Sequence, residues 1–305
     1  MAEATKRYAV VTGGNKGMGF QICKQLVSNG ITVVLTARDE KRGLEAVEKL
    51  KSKSGISGKV FFHQLDVTDP AASVFSLANF IKSKFGKLDY LVNNAGISGL
   101  IVDQDALMAA TSQGDLAARI ERGENVDLSK ILKENYELAE ACFKTNYYGP
   151  KALCEGLIPL LQLSDSPRIV NVSTSYGSLE KLPNGWGKRV LSDAESLTEE
   201  KVEEVLKQFL VDFKEDSLEI KGWPTVTSAY TVSKACLNAY TRILAKKYPS
   251  FCINSVCPGY VKTDMNFNAG FYTVEEGAES IVRAALLPDG NQSGLFFRRS
   301  EIIPF

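Results

Sequence analysis

The sequence predicts an α/β fold, a doubly wound parallel sheet covered by helices on both faces, in one domain. Three observations carry that prediction. Short β-branched runs alternate with stretches of helical periodicity from the first residues onward. The links between them are short, so the strands are expected to run parallel and their right-handed crossovers to cover both faces. Finally, 305 residues with 44% hydrophobic content suffice for one large core, and no Pro/Gly/Ser-rich linker or internal repeat of solenoid period divides it.

The elements follow in order. Tyr8–Thr12 is an apolar run ending in glycines and reads as the first strand, and Ile31–Thr36 as the second. Between them Gly17–Asn29 has Phe20, Cys23 and Val27 at helical spacing, which makes a βαβ opening. Lys59–Gln64 and Leu88–Asn93 read as strands, with helices at Lys41–Ser52 and Ala71–Lys84. A polar, helix-like stretch from Gln104 to Ala141 precedes a strand at Arg168–Ser173. Gly177–Thr227 is the largest irregular segment, helix-forming over Asp193–Lys214, with turns at Asn184-Gly185 and Trp223-Pro224. Ala235–Lys246 is helical, Cys252–Cys257 is a strand, and Gly294–Phe297 reads as a final short one.

Composition narrows the function classes. Thirty-six basic residues balance thirty-six acidic ones, so no global field favours nucleic acid, an anionic membrane or a polyanionic substrate. Cys23, Cys142, Cys154, Cys236, Cys252 and Cys257 lack the paired short spacings of zinc or redox motifs. They read as reduced thiols of a cytoplasmic protein, and no metal site is expected. The polar start at Met1–Tyr8, with no later apolar stretch of bilayer length, predicts a soluble chain without a signal peptide. The lone His63 falls inside the third strand and reads as structural.

Thr12-Gly13-Gly14-Asn15-Lys16-Gly17-Met18-Gly19 follows the first strand and opens the first helix. Glycines there let the backbone approach a pyrophosphate while helix N–H groups and the macrodipole attract its charge. In isolation such a loop fits a plain turn as well; its position between strand and helix favours a nucleotide. The end of the second strand indicates which one. An NAD site places a carboxylate there for the ribose 2′-OH, and that carboxylate would repel a 2′-phosphate. Here the position is Ala37, followed by Arg38, whose guanidinium can bind a phosphate, with Lys16 as a second positive charge. NADPH is therefore the expected cofactor, although Asp39 offers Arg38 a competing salt bridge.

Ser228-Ala229-Tyr230-Thr231-Val232-Ser233-Lys234 contains Tyr-x-x-x-Lys ahead of a helical segment. Residues at i and i+4 share a helix face, so Lys234 can approach the Tyr230 phenol or a cofactor ribose. A nearby cation stabilises a phenolate, which suits the tyrosine to proton transfer. Alone the pair is as easily an ordinary aromatic and lysine on one helix. Its place after the glycine loop, the Asn93-Asn94-Ala95-Gly96 turn and the Ser/Thr-rich strand end Ser173-Thr174-Ser175 argues otherwise.

The T-G-x-x-x-G-x-G loop, Asp66-Val67, Asn93–Gly96, the Tyr/Lys pair and Pro258-Gly259 with Tyr260-Val261-Lys262-Thr263 stand in the order of the short-chain dehydrogenase/reductase family, which the chain resembles over nearly its whole length. The resemblance implies a Rossmann fold and a cofactor site of Gly13, Asn15, Lys16, Gly17, Met18, Gly19, Arg38, Asp66, Val67, Asn93, Ala95, Gly96, Pro258, Gly259, Val261 and Thr263, with Tyr230 and Lys234. It assigns Asp66 to the adenine, Asn146 to a water linking the lysine to solvent, and the residue at Thr174 to the substrate oxygen. The family's usual serine is here a threonine, whose extra methyl restricts the rotamer and occupies substrate space. Ser173 should point to the other face, and Ser175 into the loop.

The long separation of Thr174 from Tyr230, with Trp223-Pro224 before the tyrosine, resembles the carbonyl-reductase branch, and within it Ser233–Tyr240 and Val261–Asn266 resemble the plant members that reduce alkaloid and monoterpenoid ketones with NADPH. In ordinary members the helices beside this insertion, at about 177–227, pair between subunits. An insertion laid over them implies a monomer. Phe209, Val211, Phe213 and Trp223 suggest that one of its sides is buried, and Met265, Asn266 and Phe267 could cover an apolar pocket. The expected activity is reduction of a small apolar ketone to a secondary alcohol, or the reverse. Reduction of an activated C=C bond and a non-enzymatic NADPH-binding or regulatory role are the alternatives.

Overall fold

β1 (Tyr8–Val11) takes the centre of the sheet because its side chains feed two apolar layers: Ala9 and Val11 enter one, Val10 the other. The computed structural model describes residues 6–52, 59–112, 119, 127–288 and 293–305. After β1 the chain alternates through α1 (Gly17–Ser28), β2 (Thr32–Ala37), α2 (Glu40–Lys51), β3 (Val60–Gln64), α3 (Pro70–Phe85) and β4 (Tyr90–Asn93). These agree with the expected elements to within two residues at either end. Asp39 caps α2 by accepting the Arg42 N–H, and Gly86, left-handed at φ 78°, ends α3.

β7 (Arg168–Val172), β8 (Cys252–Cys257) and β9 (Phe296–Arg298) extend the sheet on the far side of β4. Strand order is β10-β9-β8-β7-β4-β1-β2-β3, parallel except at β10 (Glu301–Ile303), which turns back on β9. The sequence reading missed this edge strand. Its tight turn is made by Arg299 at φ 57°, without the Asn or Gly that usually marks a hairpin. The chain moves from β1 to β2 and β3 on one side, then returns to β4 on the other. The carboxyl ends of β1 and β4 therefore flank the crevice where such sheets bind ligands.

The stretch from Gln104 to Ala141 is not uniformly helix-like. A two-stranded antiparallel ladder pairs β5 (Ile101–Val102) with β6 (Leu132–Lys133), and α4 (Gln104–Thr111) leaves from it; residues 113–118 and 120–126 of that reading lie outside the described ones. Asn135 then caps α5 (Tyr136–Phe143), which passes through a π turn, Lys144–Tyr148, into α6 (Gly149–Leu161).

The insertion holds two helices where one was expected. α7 (Trp186–Ser192) comes first, Asp193 makes a turn by accepting the Ser196 N–H, and α8 (Glu199–Lys214) starts after its Thr198 cap. Its inner face, Val202, Val205, Leu206 and Phe209, is fully buried against α5 and α9 (Ser228–Lys247). Trp223 is also buried and donates its indole N–H to the buried Asp212, while Phe213 is partly buried. Val211 faces solvent, contrary to expectation, because it lies two residues from Phe209 and so on another side of the helix. Lys151 on α6 ties the insertion down, meeting Glu155, Glu199 and Glu203 at 3.0, 3.4 and 3.1 Å. α10 (Val274–Ala285) packs beside α1 on the opposite face. Among the described residues no helix is long and apolar enough to cross a membrane.

Candidate functional site

The glycine loop is locked to the turn after β4. Thr12 Oγ1 accepts the Asn94 and Ala95 N–H groups at 2.9 Å, and the Asn94 amide donates to the Thr12 carbonyl at 2.8 Å. Gly13 and Gly17 are left-handed, at φ 63° and 53°. A Cβ on Gly19 would lie 2.2 Å from the Gly13 carbonyl oxygen, whereas one on Gly17 would enter open space. No side chain caps α1, and its first turn holds no acidic residue. Its free N–H groups at the crevice form an anion cradle that suits a pyrophosphate. Asn15 and Met18 lie in this loop, and Met18 and Val261 both pack by Gly277, where a Cβ would stand 3.2 Å from Met18 Sδ and 2.6 Å from Val261 Cγ2.

Arg38 is exposed at the end of β2, and Asp39 does not engage it: Asp39 caps α2 and pairs with Arg42 at 3.9 Å. Among the described residues Arg38 has no ion-pair partner. Lys16, expected to share a phosphate, instead reaches Asp264 at 2.6 Å across the loop that follows β8. That pair holds the Asp264 carboxyl below its usual range, first through the hydrogen bond and then through the charge of Lys16.

Asp66 accepts the Thr68 N–H and hydroxyl at 2.9 and 2.7 Å, which makes a turn there rather than a helix cap. Val67 packs against Gly149. The Asn93 side chain does not line the crevice; it is buried in the sheet and donates to Asn171 Oδ1 at 2.8 Å. Asn94, which sequence reasoning passed over, does the locking. Strand alternation was the available signal, since Asn93 ends a strand and Asn94 begins the turn. Ala95 and Gly96 follow, and a Cβ on Gly96 would stand 3.2 Å from Asn146 Oδ1 and 3.5 Å from Lys234 Nζ.

Tyr230 lies in the first turn of α9, and Lys234 one turn later. Lys234 is 4% exposed, donates to the Val172 carbonyl at 2.8 Å and lies 5.9 Å from the Tyr230 ring centre. Burial pulls its amine down to about 8, partly opposed by the Cys142 thiol. Tyr230 moves opposite to the sequence expectation. Burial raises its pKa, with the Cys257 and Cys142 thiols adding to the rise, while a hydrogen bond with the Thr174 hydroxyl works against it. Desolvation is the largest cause, so the chain alone does not show the lowered phenol pKa that a neighbouring cation would give.

Of the three hydroxyls after β7, that of Thr174 accepts the Tyr176 N–H at 3.4 Å and is the one close enough to Tyr230 to oppose the rise in its pKa. Ser173 is buried, and Ser175 donates to Cys257 Sγ at 3.2 Å. Asn146 is fully buried in the π turn. It accepts the Ile97 N–H and donates to the Ile97 carbonyl, both at 2.9 Å, and donates to Ser233 Oγ at 3.1 Å. Its side-chain amide is thus engaged by Ile97, Cys142 and Ser233 inside the protein. π turns often mark functional positions.

Pro258 and Gly259 follow β8, and Gly259 is left-handed at φ 87° beneath the Tyr272 ring. Thr263 and Asn266 are tied together: Asn266 accepts the Thr263 N–H at 3.0 Å and donates to the Val261 carbonyl at 2.9 Å. Asn266 therefore shapes the loop and does not reach out to substrate. Met265 and Phe267 are exposed. His63 shares a hydrogen bond with Ser76 at 3.2 Å and packs by Phe80, in keeping with a structural role. All six cysteines are free thiols.

Comparison with known proteins agrees with this geometry. The family described as short chain dehydrogenase matches residues 7–186. The chain is 59% identical over 311 residues to "Short-chain dehydrogenase/reductase 1" of Saponaria officinalis, with all of both chains covered. It is 58% identical over 307 residues to (+)-neomenthol dehydrogenase of Arabidopsis thaliana, again over the full length of both. The solved structure of salutaridine reductase from Papaver somniferum superposes with a TM-score of 0.90 at 57% identity, covering 96% of this chain and 99% of that one.

Proposed function

Because the chain belongs to the short-chain dehydrogenase/reductase family of oxidoreductases, which use a nicotinamide cofactor, we propose that it is an NADPH-dependent reductase of a terpenoid- or alkaloid-type ketone. The product is a secondary alcohol, and the reverse oxidation uses the same groups. The observation that carries the reading is Tyr230 one turn ahead of the buried Lys234 on α9, with the Lys234 Nζ 5.9 Å from the Tyr230 ring centre.

When bound, NADPH supplies the hydride. The uncapped first turn of α1 would hold its pyrophosphate, and Arg38, free of Asp39, its 2′-phosphate. Tyr230 is the general acid that gives its proton to the carbonyl oxygen as that oxygen gains charge, and the Lys234 ammonium beside it favours the phenolate left behind, against the rise that burial causes. Thr174 donates to the same oxygen and fixes its position. Lys234 would hold the cofactor ribose and keeps a positive charge close to the phenol, and the turn at Asn146 would carry the proton path onward. Met265 and Phe267 form part of an apolar rim for the substrate. The insertion covers α5 and α9, the surface through which ordinary members pair, so the chain acts as a monomer.

The test is Tyr230→Phe. NADPH affinity should stay within about threefold, while turnover of menthone- and salutaridine-type ketones falls by about 100-fold or more. Unchanged turnover rejects the assignment. Product analysis separates an alcohol from a saturated ketone, the outcome expected of C=C reduction.

A further inference from the structure

The catalytic helix α9 starts badly by its own chemistry. Its cap residue, Thr227, is left-handed at φ 50°, ψ 38°, a conformation that β-branched residues avoid, and no Thr227 side-chain bond caps the helix. The first-turn donors are met from elsewhere. Ser228 donates its N–H and its hydroxyl to Glu134 Oε2 at 2.9 and 2.8 Å, and Ala229 donates its N–H to Glu134 Oε1 at 3.0 Å. One carboxylate from 94 positions away thus closes the helix end directly before Tyr230.

We infer that Glu134 is a positioning residue for proton transfer: its carboxylate fixes the first turn of α9 and so the place of the Tyr230 phenol against Thr174. The inference rests on the reading of Tyr230 given above. Glu134 is itself held on both sides. The residue before it, Lys133, ends the ladder with Ile101 and pairs with Asp103 at 3.1 Å; the residue after it, Asn135, caps α5 by accepting the Leu138 N–H at 2.8 Å. A carboxylate on so constrained a backbone does not follow the helix but dictates where it begins. Three charge-assisted hydrogen bonds and a favourable helix dipole act at that one point.

The geometry also separates two functions of the helix. Tyr230 directly follows the gripped residues, whereas Lys234 is anchored a turn later by the Val172 carbonyl. Loosening the first turn moves the phenol and leaves the lysine, and with it cofactor binding, in place. A displacement of ~1 Å at a reacting group lowers rates by about 100-fold.

The experiment compares Glu134→Gln with the parent chain and with Glu137→Gln, an exposed neighbour, as a charge control. The glutamine retains one acceptor oxygen but turns an NH2 group towards a donor. Expected for E134Q are a fall in kcat of about 10- to 100-fold, KM for NADPH and its Kd by fluorescence titration within about twofold, and a larger solvent deuterium isotope effect on kcat as proton delivery becomes limiting. A folded E134Q whose kcat stays within twofold, or whose kcat and NADPH affinity fall together, overturns the inference, the first by making Glu134 only a stabilising cap. Should E134Q fail to fold, Ser228→Ala removes one of the three bonds from the other side; its kcat should fall severalfold at unchanged Kd, and no fall counts against Glu134. Tyr230→Phe measured alongside keeps the two readings apart. An active Y230F rejects the proposed chemistry, while an inactive Y230F with a fully active E134Q rejects only the role of Glu134.

Discussion

Replacing Lys234 with methionine should stabilise the folded chain near neutral pH, by an amount that shrinks as the pH rises. The amine is 4% exposed and burial lowers its pKa from 10.5 to about 8. That difference corresponds to about 3 kcal/mol by which the folded state disfavours the ammonium. Between pH 8 and 10.5 the unfolded chain binds the proton that the folded chain has released, so stability contributed by this group rises with pH across the window. Below pH 8 the whole penalty is present; above 10.5 none of it is. Methionine has similar length and no charge, and loses the bond to the Val172 carbonyl, an offset of about 1 kcal/mol that does not vary with pH. Urea unfolding of both cofactor-free chains at pH 7.5, 8.5, 9.5 and 10 should therefore show K234M more stable by about 2 kcal/mol at pH 7.5. That advantage should decline by about 2 kcal/mol by pH 10. Titrations of groups not coupled to Lys234 cancel in the difference, and the Cys142 thiol, pushed up to about 12, stays protonated in the folded chain over this range. A gap that stays constant or widens with pH would refute the argument. Loss of turnover in the more stable variant would mark Lys234 as a residue kept for function against stability.

Other substitutions test separate parts of the site. Arg38→Ala should weaken NADPH by about 10- to 100-fold and leave NADH within twofold, read by calorimetric titration; equal weakening of both cofactors would remove the phosphate role. Gly19→Ala drives a Cβ to 2.2 Å from the Gly13 carbonyl, so NADPH affinity should fall at least about tenfold, with the far-UV spectrum retained. Phe209→Ala should cost about 3–5 kcal/mol in urea unfolding. Val211→Ala, on the exposed side of the same helix, should change stability by less than about 0.5 kcal/mol.

What the sequence made legible was whatever depends on local pattern. Strands of the parallel sheet show as β-branched runs, and the loop from Thr12 to Gly19 shows because only glycine permits its close approaches. The features that stayed hidden are those set by distant partners. Nothing near Lys16 announces Asp264, and nothing near Ser228 announces Glu134. The rise in the Tyr230 pKa is hidden for the same reason, since spacing reveals the lysine on the same helix face but not the burial that causes the rise. Asn93 and Asn94 look interchangeable in one dimension. Strand alternation sends the first into the sheet and leaves the second to lock the loop. The last hairpin was missed because Arg299 takes a left-handed turn that its side chain does not advertise.

The insertion helix α8 has a consequence for how this molecule responds to dilution. A face covered by a second subunit is protected only as far as subunits meet, so its stability depends on protein concentration. Here Val202, Val205, Leu206 and Phe209 arrive on the same chain, held down by Lys151, at an effective concentration set by the short tethers on either side. The cover over α5 and α9 is then equally complete at nanomolar and at millimolar protein. Cutting it away would leave an exposed apolar floor on α5 and α9.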